Sequence, residues 1–374
     1  MKIKSLTLSN YRQFKKETKI KFDQFNMLYG ARGSGKTTFF DIFSWIMYGD
    51  SIYGENLLNL EKVKKMKKGD IQKVKGILEF YHHNNTYRVH RIQSYLCFSD
   101  NDVKSINSDL EMICINDDKK MKKIEKKDIK KIISEILPKF IFDFLIANNN
   151  FGDIGSNNRK RTLYINSFIN NIISYELILE KKRILNEYKY YIINNIDLKN
   201  TKNINKNINN FLKNKIEYNY NERKKSLLKK IKELSQKNIE MIFHHNVNNL
   251  NIEFNSKGEI FISDKKRKTH NTIEFKILFG FTIFYSIYTI LKEKNYFDTS
   301  FLLIDNPFLT LNDYILKKII CFIINSDDQI ILSLHEFQYF KLSSKMDINK
   351  FDKCYRFNKV NNKNTEVRLE LISN

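Results

Sequence analysis

Cysteine is scarce and scattered in this chain of 374 residues. Its four cysteines form no C-x-x-C pair and stand at Cys97, Cys114, Cys321 and Cys354. They therefore offer neither a disulfide framework nor a zinc site. We expect a protein of the reducing cytoplasm, where free thiols are the normal state.

A hydrophobic run long enough to cross a membrane is missing as well. The most apolar stretch, residues 277–291, is shorter than the roughly 18 residues that a spanning helix needs, and Glu274 and Lys276 precede it. We expect a buried core helix there and no membrane partner. Residues 1–4 run directly into an alternating strand pattern, so we also expect no signal peptide at the start of this sequence.

Negative charge is in short supply. Asp and Glu together number 42 against 65 Lys and Arg, which gives a formal net charge of +23 at pH 7. A surplus of this size favours a polyanionic partner such as DNA or RNA. A composition biased toward Lys, Asn and Ile would also supply part of the charge, and both explanations stay open at this point.

The most specific motif is a glycine-rich loop between a predicted strand and a predicted helix. Residues 30–37 read Gly-Ala-Arg-Gly-Ser-Gly-Lys-Thr and match the phosphate-binding pattern G-x-x-x-x-G-K-[ST]. Residues 26–29 before the loop form a short apolar strand pattern, and residues 38–46 after it have helical spacing. This order of strand, loop and helix argues against a chance match in a lysine-rich chain.

The residue types in this loop suit a nucleoside triphosphate. Glycines let backbone N–H groups wrap a phosphate, and the start of the following helix adds partial positive charge. Lys36 is predicted to reach the β- and γ-phosphates, and the Thr37 hydroxyl to ligate Mg²⁺. We therefore expect ATP and Mg²⁺ to be held by Gly30, Ala31, Arg32, Gly33, Ser34, Gly35, Lys36, Thr37 and Thr38.

The pattern of apolar and polar residues changes twice along the chain. Residues 1–158 alternate strand and helix patterns and end in a polar, Gly-containing segment, residues 148–158, which we expect to be a loop. Residues 159–244 hold two long runs in which many apolar residues recur at steps of three and four. Strand and helix patterns return in residues 245–374. We predict an α/β P-loop head built from both chain ends.

The middle segment, residues 159–244, is predicted to be an arm. An Asn-rich stretch at residues 194–203 separates its two runs and is typical of the turn of an antiparallel pair. Each run would form a helix of about 35 residues, hence about 50 Å long. We favour a short antiparallel coiled coil, and two ordinary amphipathic helices packed on a core are the alternative.

A second pair of strand ends completes the predicted site. Residues 301–305 form an apolar strand that ends in Asp305, which is where a P-loop fold carries the acid that holds Mg²⁺. The apolar strand at residues 329–334 leads into His335, whose side chain could contact the γ-phosphate. A surface histidine at a strand end is the alternative for His335.

P-loop halves joined by a helical insertion resemble the SMC/RecF-type ABC ATPases. Within that group the sequence is most similar to the DndD-type ATPases of DNA phosphorothioation and related defence systems. The resembling segments are residues 3–49, 137–145, 301–312 and 329–333. The resemblance implies that residues 30–37 are the Walker A loop and Asp305 the Walker B acid. It further implies a D-loop at Asp313 or at the turn of residues 311–313, a switch histidine at His335, and a basic residue near the nucleotide at Arg12.

Three positions depart from the pattern of these ATPases. Asn306 follows Asp305 where many have a Glu that polarises water, and an amide can orient water but cannot accept its proton. The Q-loop position, residues 148–150, has no glutamine. The signature motif is represented at best by residues 271–274, where Asn271 and Glu274 also resemble a capping box. We expect ATP binding with slow hydrolysis, and the candidate catalytic residues are Lys36, Asp305, Asn306 and His335.

Three functions are compatible with these features to different degrees. We favour an ATP-binding SMC/RecF-like ATPase of genome defence or DNA repair, with nucleotide-controlled pairing of heads as a homodimer or heteromer. It would contact DNA phosphates without reading sequence, through candidate runs at residues 62–68, 119–127 and 265–268. The alternative is a nucleotide-gated, non-catalytic scaffold for a partner nuclease or DNA-modification enzyme. The long insertion and the positive charge disfavour a transporter subunit.

Overall fold

The structure is a computed structural model of the whole chain. It describes residues 1–99, 102–147, 151–195, 201–243, 250–254, 260–264, 272–294, 301–306, 308–343, 351–361 and 364–370. The chain forms two compact units, Met1–Phe151 with Leu291–Asn374, and Gly152–Ile290. The first unit therefore combines both chain ends. The division into segments ending at residues 158 and 244 stays a prediction.

The first unit contains a mostly parallel sheet of six strands. Its strands are, in spatial order, β14 (Asn364–Glu370), β13 (Lys353–Asn361), β3 (Phe25–Gly30), β12 (Gln329–His335), β11 (Phe301–Asp305) and β8 (Ile146–Ala147). Only β14 runs antiparallel to its neighbour among these six strands. Every residue of β11 is buried, and all but its terminal Asp305 are apolar, as is typical of a strand covered on both faces.

A second sheet of the first unit is antiparallel. Its strands are, in spatial order, β2 (Thr18–Lys21), β1 (Lys2–Ser9), β4 (Ile71–His82), β5 (Asn85–Ser99), β6 (Asp102–Ile115) and β7 (Met121–Lys123). Buried and more exposed residues alternate along much of β1 and β4. This alternation is what a sheet with one covered face requires.

Helix α1 (Lys36–Tyr48) is the core helix of the first unit. It contacts β3 and β11 of the parallel sheet and also β4 and β5 of the antiparallel sheet. A methyl group on Gly76 of β4 would lie 2.8 Å from side-chain atoms of Trp45 and Ile46, so glycine permits this close packing. Because α1 begins at Lys36, the contacts that hold the helix also hold the end of the glycine-rich loop.

The remaining helices of the first unit are short. They are α2 (Leu60–Val63), α3 (Lys126–Ile136), α4 (Lys139–Leu145), α9 (Asp313–Ile324) and α10 (Glu336–Ser343). The start of α9 is capped by Asn312, whose side chain accepts a 2.9 Å hydrogen bond from the Ile315 N–H.

The second unit is dominated by helices. Its elements are α5 (Phe151–Ser156), α6 (Asn158–Asn195), α7 (Thr201–Phe243), β9 (Leu250–Phe254), β10 (Ile260–Asp264) and α8 (Ile273–Glu293), with the first residue of α5 and the last three of α8 in the first unit. At helical rise the 38 residues of α6 span about 57 Å and the 43 of α7 about 65 Å. Both helices are longer than predicted. They contact each other, and their pairing as a coiled coil stays a prediction.

The expected loop at residues 148–158 is wrong over most of its length. Residues 148–150 lie outside the described residues, but α5 covers 151–156 and α6 begins at Asn158. A methyl group on Gly155 would lie 1.7 Å from the Lys276 carbonyl oxygen. Glycine therefore permits close packing of α5 against α8 here. The sequence predicted a loop because its local polar composition contains no sign of this contact.

Helix α8 is long and apolar enough to cross a membrane by length and composition. In the structure 67% of its most apolar 18-residue window is buried. Its interior contacts include a hydrogen bond from Asn238 Nδ2 on α7 to Ser286 Oγ, at 3.1 Å. The expectation of a buried core helix is therefore confirmed.

Candidate functional site

The functional segments predicted from the sequence meet at one edge of the parallel sheet. Gly30 ends β3, His335 ends β12 opposite Gly30, and Asp305 ends β11 opposite Ser333. These three strands are parallel neighbours, so their carboxyl ends share an edge. Open α/β sheets bind ligands at this edge.

The glycines of the loop are required by its conformation. Gly33 and Gly35 have φ angles of +74° and +94°, in the left-handed region that favours glycine. A methyl group on Gly30 would lie 2.4 Å from the Phe357 carbonyl oxygen. Gly35 caps α1 without a side chain, so N–H groups of the first helical turn are left for a ligand.

The Lys36 side chain folds back onto the glycine-rich loop that precedes it. Its ammonium donates hydrogen bonds to the carbonyl oxygens of Gly30 and Ala31, at 2.6 and 2.9 Å. Burial lowers the pKa of Lys36 to about 8, against the opposing influence of Asp305 and Glu336. The side chain is thus mostly protonated at pH 7 and incompletely solvated, which suits an incoming phosphate.

Asp305 is buried, and its carboxylate accepts hydrogen bonds from β12 and from the start of α1. Its Oδ1 accepts a 2.9 Å hydrogen bond from Ser333 Oγ, and Thr37 also bonds to this carboxylate. Burial raises the pKa of Asp305, although Thr37, Ser333 and Lys36 oppose the shift. Sequence reasoning missed Ser333. The available signal was a single hydroxyl in the interior of β12, between Gln329 and His335, where all other residues are apolar.

A cavity of about 490 Å³ opens beside Thr37 and Asp305. Asp41, Ser51 and Ile146 also line it. Mg²⁺ in nucleotide sites prefers oxygen ligands and usually takes one or two carboxylates together with phosphate oxygens and water. The Thr37 hydroxyl and the Asp305 carboxylate fit that ligand set.

Asn306 adopts an unusual backbone conformation directly after Asp305. Its φ angle is 42°, in the left-handed region where Asn is tolerated far better than most residues. Its side-chain Oδ1 is buried and has no hydrogen-bond partner among the described residues. A buried acceptor of this kind is normally satisfied by a water or a ligand. Asn306 is therefore suited to hold a water beside the Asp305 carboxylate.

His335 is oriented by the start of α10. Its backbone N–H donates to Gln338 Oε1 at 3.1 Å, and its Nδ1 accepts from the Phe337 N–H at 3.3 Å. When Nδ1 accepts, a neutral imidazole carries its proton on Nε2 and can donate it to a phosphate oxygen. Gln338 Nε2 also donates to the Phe308 carbonyl at 2.8 Å. The segments after β11 and β12 are therefore linked.

Arg12 is linked through Tyr53 to Thr38, in the first turn of α1. Its guanidinium carbon lies 4.4 Å from the centre of the Tyr53 ring, and its Nη1 donates to the Asn56 carbonyl at 3.0 Å. The Tyr53 hydroxyl lies 3.0 Å from Thr38 Oγ1. Sequence reasoning did not identify Tyr53, because nothing in its local pattern marks it.

One predicted motif segment lies outside the described residues and a second is only partly described. The Q-loop position, residues 148–150, and Asn271 lie outside the described residues. In the second unit Thr272 Oγ1 accepts a hydrogen bond from the Phe275 N–H at 3.3 Å, which caps the start of α8. Ile273 is 62% exposed. A role of residues 271–274 as a signature motif stays a prediction.

Comparison with family models agrees with this geometry. The model of AAA_23, described as an AAA domain, matches residues 5–242, which is more than half of the chain. The chain belongs to this AAA-domain family. No curated protein matches the sequence. ATPases of this family generally use ATP with Mg²⁺.

Two solved structures show the same fold as this AAA-domain chain. One is an SMC head bound to the C-winged helix domain of ScpA, with a TM-score of 0.58, 13% identity, and coverage of 100% of this chain and 98% of that one. The other is an SMC head domain from Thermotoga maritima, with a TM-score of 0.52, 13% identity and full coverage of both chains. The predicted α/β head of SMC type is confirmed. The DndD-type assignment stays a prediction.

Proposed function

We propose that this AAA-domain protein is a DNA-associated, SMC-like ATPase that binds ATP with Mg²⁺ and hydrolyses it slowly. One observation carries the proposal. Lys36, Thr37 and Asp305 lie together at the carboxyl edge of the parallel sheet, while Asn306 occupies the position where a general base is expected.

The loop residues would bind the triphosphate. N–H groups at the start of α1 would contact phosphate oxygens, and Lys36 would exchange its bonds to Gly30 and Ala31 for bonds to phosphate. Thr37 and Asp305 would hold the cation, and Ser333 would orient Asp305. A bound Mg²⁺ neutralises phosphate charge and polarises the γ-phosphate.

Slow hydrolysis follows from the residues next to Asp305. A general base typically contributes about 10²–10⁴-fold to a rate, and the Asn306 amide cannot accept a proton. His335, whose Nδ1 accepts the Phe337 N–H, would donate to phosphate from Nε2 and would not act as the base. The site would therefore hold ATP for long periods between turnovers.

Side chains near the nucleotide edge support nucleotide-controlled engagement of two heads. Tyr314 at the start of α9 and Phe337 at the start of α10 are 60% and 59% exposed. The Asp313 carboxylate lies 3.4 Å from the Lys341 ammonium, which connects α9 with α10. Exposed aromatic groups beside a ligand edge suit a partner surface, either a second copy or a related head.

Several further attributes belong to the same proposal. The net charge of +23 supports DNA association through phosphates, independent of sequence. We place the protein in the cytoplasm, in genome defence or DNA repair of the DndD type. The solved SMC head that is bound to a winged-helix domain supports a protein partner at the head.

A second candidate function is a nucleotide-gated scaffold for a partner nuclease or DNA-modification enzyme. Asn306 favours it, because a head without a general base can hold ATP and remain engaged. ATP binding and steady-state turnover, each measured with and without duplex DNA, test both functions. We expect tight binding and slow turnover that DNA accelerates. Tight binding without measurable turnover would favour the scaffold, and no binding would contradict both.

A further inference from the structure

A groove of about 600 Å³ lies against the antiparallel sheet of the first unit. We call it the lysine groove, after Lys2 and Lys4 of β1, Lys19 and Lys21 of β2, and Lys353 at the start of β13. Lys353 comes from a distant part of the chain. None of these residues belongs to the basic runs that the sequence suggested as DNA contacts.

The lysine groove has a surplus of positive charge. Six cations and two carboxylates, Asp23 and Glu79, line it. Both carboxylates are already paired within the groove: Arg88 Nε donates to Glu79 at 2.7 Å, and Lys353 lies 2.7 Å from Asp23. The other four lysines form no ion pair with either carboxylate in the described part of the chain.

The four remaining lysines are less strongly engaged, although Lys19 lies close enough to Glu79 to help lower the pKa of that carboxyl. Lys2 donates to Gln24 Oε1 at 3.0 Å, and Lys4 lies 5.2 Å from the centre of the Tyr81 ring. Lys19 and Lys21 are exposed and take part in no ion pair within the described part of the chain. They lie on the same face of β2, about 7 Å apart along the strand. They are the two cations most available to an anionic partner.

Hydrogen bonds of Gln329 join the segments beneath the lysine groove. The buried Gln329 side chain accepts from the Ile3 N–H and donates to the Ile3 carbonyl, both at 2.7 Å. It also donates to the Asp23 carbonyl at 2.8 Å. These bonds join β1 to the start of β12. Four of the groove lysines lie on the strands β1 and β2 and not in a loop.

The lysine groove lies at the opposite edge of the parallel sheet from the nucleotide site. Asp23 and Gln24 precede β3, whereas the glycine-rich loop follows the last residue of β3. At about 3.3 Å per residue, the strand separates the two edges by about 17 Å. A ligand in the lysine groove would leave the nucleotide edge free for a second head.

We propose that the lysine groove binds the phosphate backbone of duplex DNA; this inference rests on the proposed DNA association. Lysine ammonium groups are compact, strongly hydrated charges that suit phosphates. Proteins that bind single-stranded nucleic acid stack its bases on exposed aromatic rings. In the lysine groove the Lys4 ammonium lies over the Tyr81 ring, so this ring is not open to stacking with a base. The chemistry of the groove thus favours a duplex, read through its backbone alone.

The test compares full-length Lys19→Ala/Lys21→Ala with wild type and with Lys130→Ala/Lys131→Ala. The control removes two exposed lysines of α3 that lie outside the three candidate basic runs. Binding to a fluorescent duplex is measured by anisotropy over a range of salt. Loss of two phosphate contacts should lower the slope of log affinity against log salt by about 1.8, or roughly 60-fold at 0.1 M if affinities converge at 1 M. The control should change the slope less, and ATP affinity should stay at the wild-type value.

The possible outcomes separate this inference from the proposed function. If Lys19→Ala/Lys21→Ala keeps the wild-type slope and affinity, the lysine groove is not the DNA-binding site, although DNA association itself stands. Equal losses in the control variant would lead to the same conclusion. A loss confined to single-stranded DNA, or to an acidic polypeptide such as polyglutamate, would also overturn it. No duplex binding by wild type at low salt would refute the proposed function itself. Lys2→Ala/Lys4→Ala should reproduce the loss if the Lys19 and Lys21 variant is misfolded.

Discussion

Ser333 donates a 2.9 Å hydrogen bond to Asp305 from the directly opposing position of the neighbouring strand. The bond directs one carboxylate oxygen toward β12 and opposes the effect of burial on the Asp305 pKa. A carboxylate that holds a cation needs this kind of support, since orientation and charge both decide affinity.

Ser333→Ala should lower the affinity of the ATP-bound protein for Mg²⁺. Loss of this hydroxyl removes a group that stabilises the charged form, so the pKa of Asp305 should rise further. Support residues of this type typically affect metal affinity by about 10–100-fold. Titration of Mg²⁺ at fixed ATP measures the effect, and Ser333→Thr, which keeps a hydroxyl, is the control. Equal Mg²⁺ affinity in Ser333→Ala and wild type would show that Ser333 has only a packing role.

Lys36→Ala should weaken ATP binding strongly. The substitution removes a charge-assisted donor to phosphate, worth about 1.5–3 kcal/mol, which corresponds to roughly 10–150-fold in affinity. Isothermal titration calorimetry measures it, with exposed Lys65→Ala as the control. Unchanged ATP affinity in a folded Lys36→Ala protein would mean that the loop is not the nucleotide site.

ATP affinity should fall as the pH rises above about 8. The pKa of Lys36 is lowered to about 8, so below this value the side chain is protonated and ready to bind phosphate. Above it the free protein must take up a proton to form the same contact, and affinity should decrease by up to about tenfold per pH unit. Calorimetry in buffers of different ionisation enthalpy would also detect the proton uptake. Constant affinity between pH 7 and pH 9.5 would contradict this role of Lys36.

Asn306→Glu should raise turnover and lower stability together. The carboxylate supplies a base, which typically contributes about 10²–10⁴-fold. A longer, non-Asn side chain at φ 42° should cost about 1 kcal/mol of unfolding free energy. Asn306→Gly, which removes the strain without adding a base, should be at least as stable as wild type and no faster. A wild-type rate already typical of active ABC ATPases would show that another residue acts as base.

Gly155→Ala should destabilise the second unit. The added methyl group would lie 1.7 Å from the Lys276 carbonyl oxygen, so the backbones of α5 and α8 must separate. Overpacking of this kind costs about 1–3 kcal/mol. Gly152→Ala is a matched control in the same helix, because its methyl group would meet its nearest atom at 3.8 Å. Equal denaturant midpoints for the two variants would refute this close contact.

Much of the fold could be predicted because its signals are local. The strand before the loop, the α1 helix after it and the buried strands β11 and β12 each carry their own periodicity, and all four are confirmed. Most of the candidate site was also accessible, since residues 30–37 match a motif whose spacing reflects one ligand. The loop expected at residues 148–158 was wrong because glycine in a polar segment has the same local appearance in a loop and in a tight helix contact.

The sequence by itself determined the phosphate-binding loop, the two acid- and histidine-ended strands and the two long helices, because each depends on neighbouring residues alone. Only the tertiary structure decided which strands are neighbours. That order brings Ser333 to Asp305, and it gathers Lys2, Lys19 and Lys353 into one groove. Long-range pairing depends on the burial of surfaces that are distant in sequence, so no local pattern contains it.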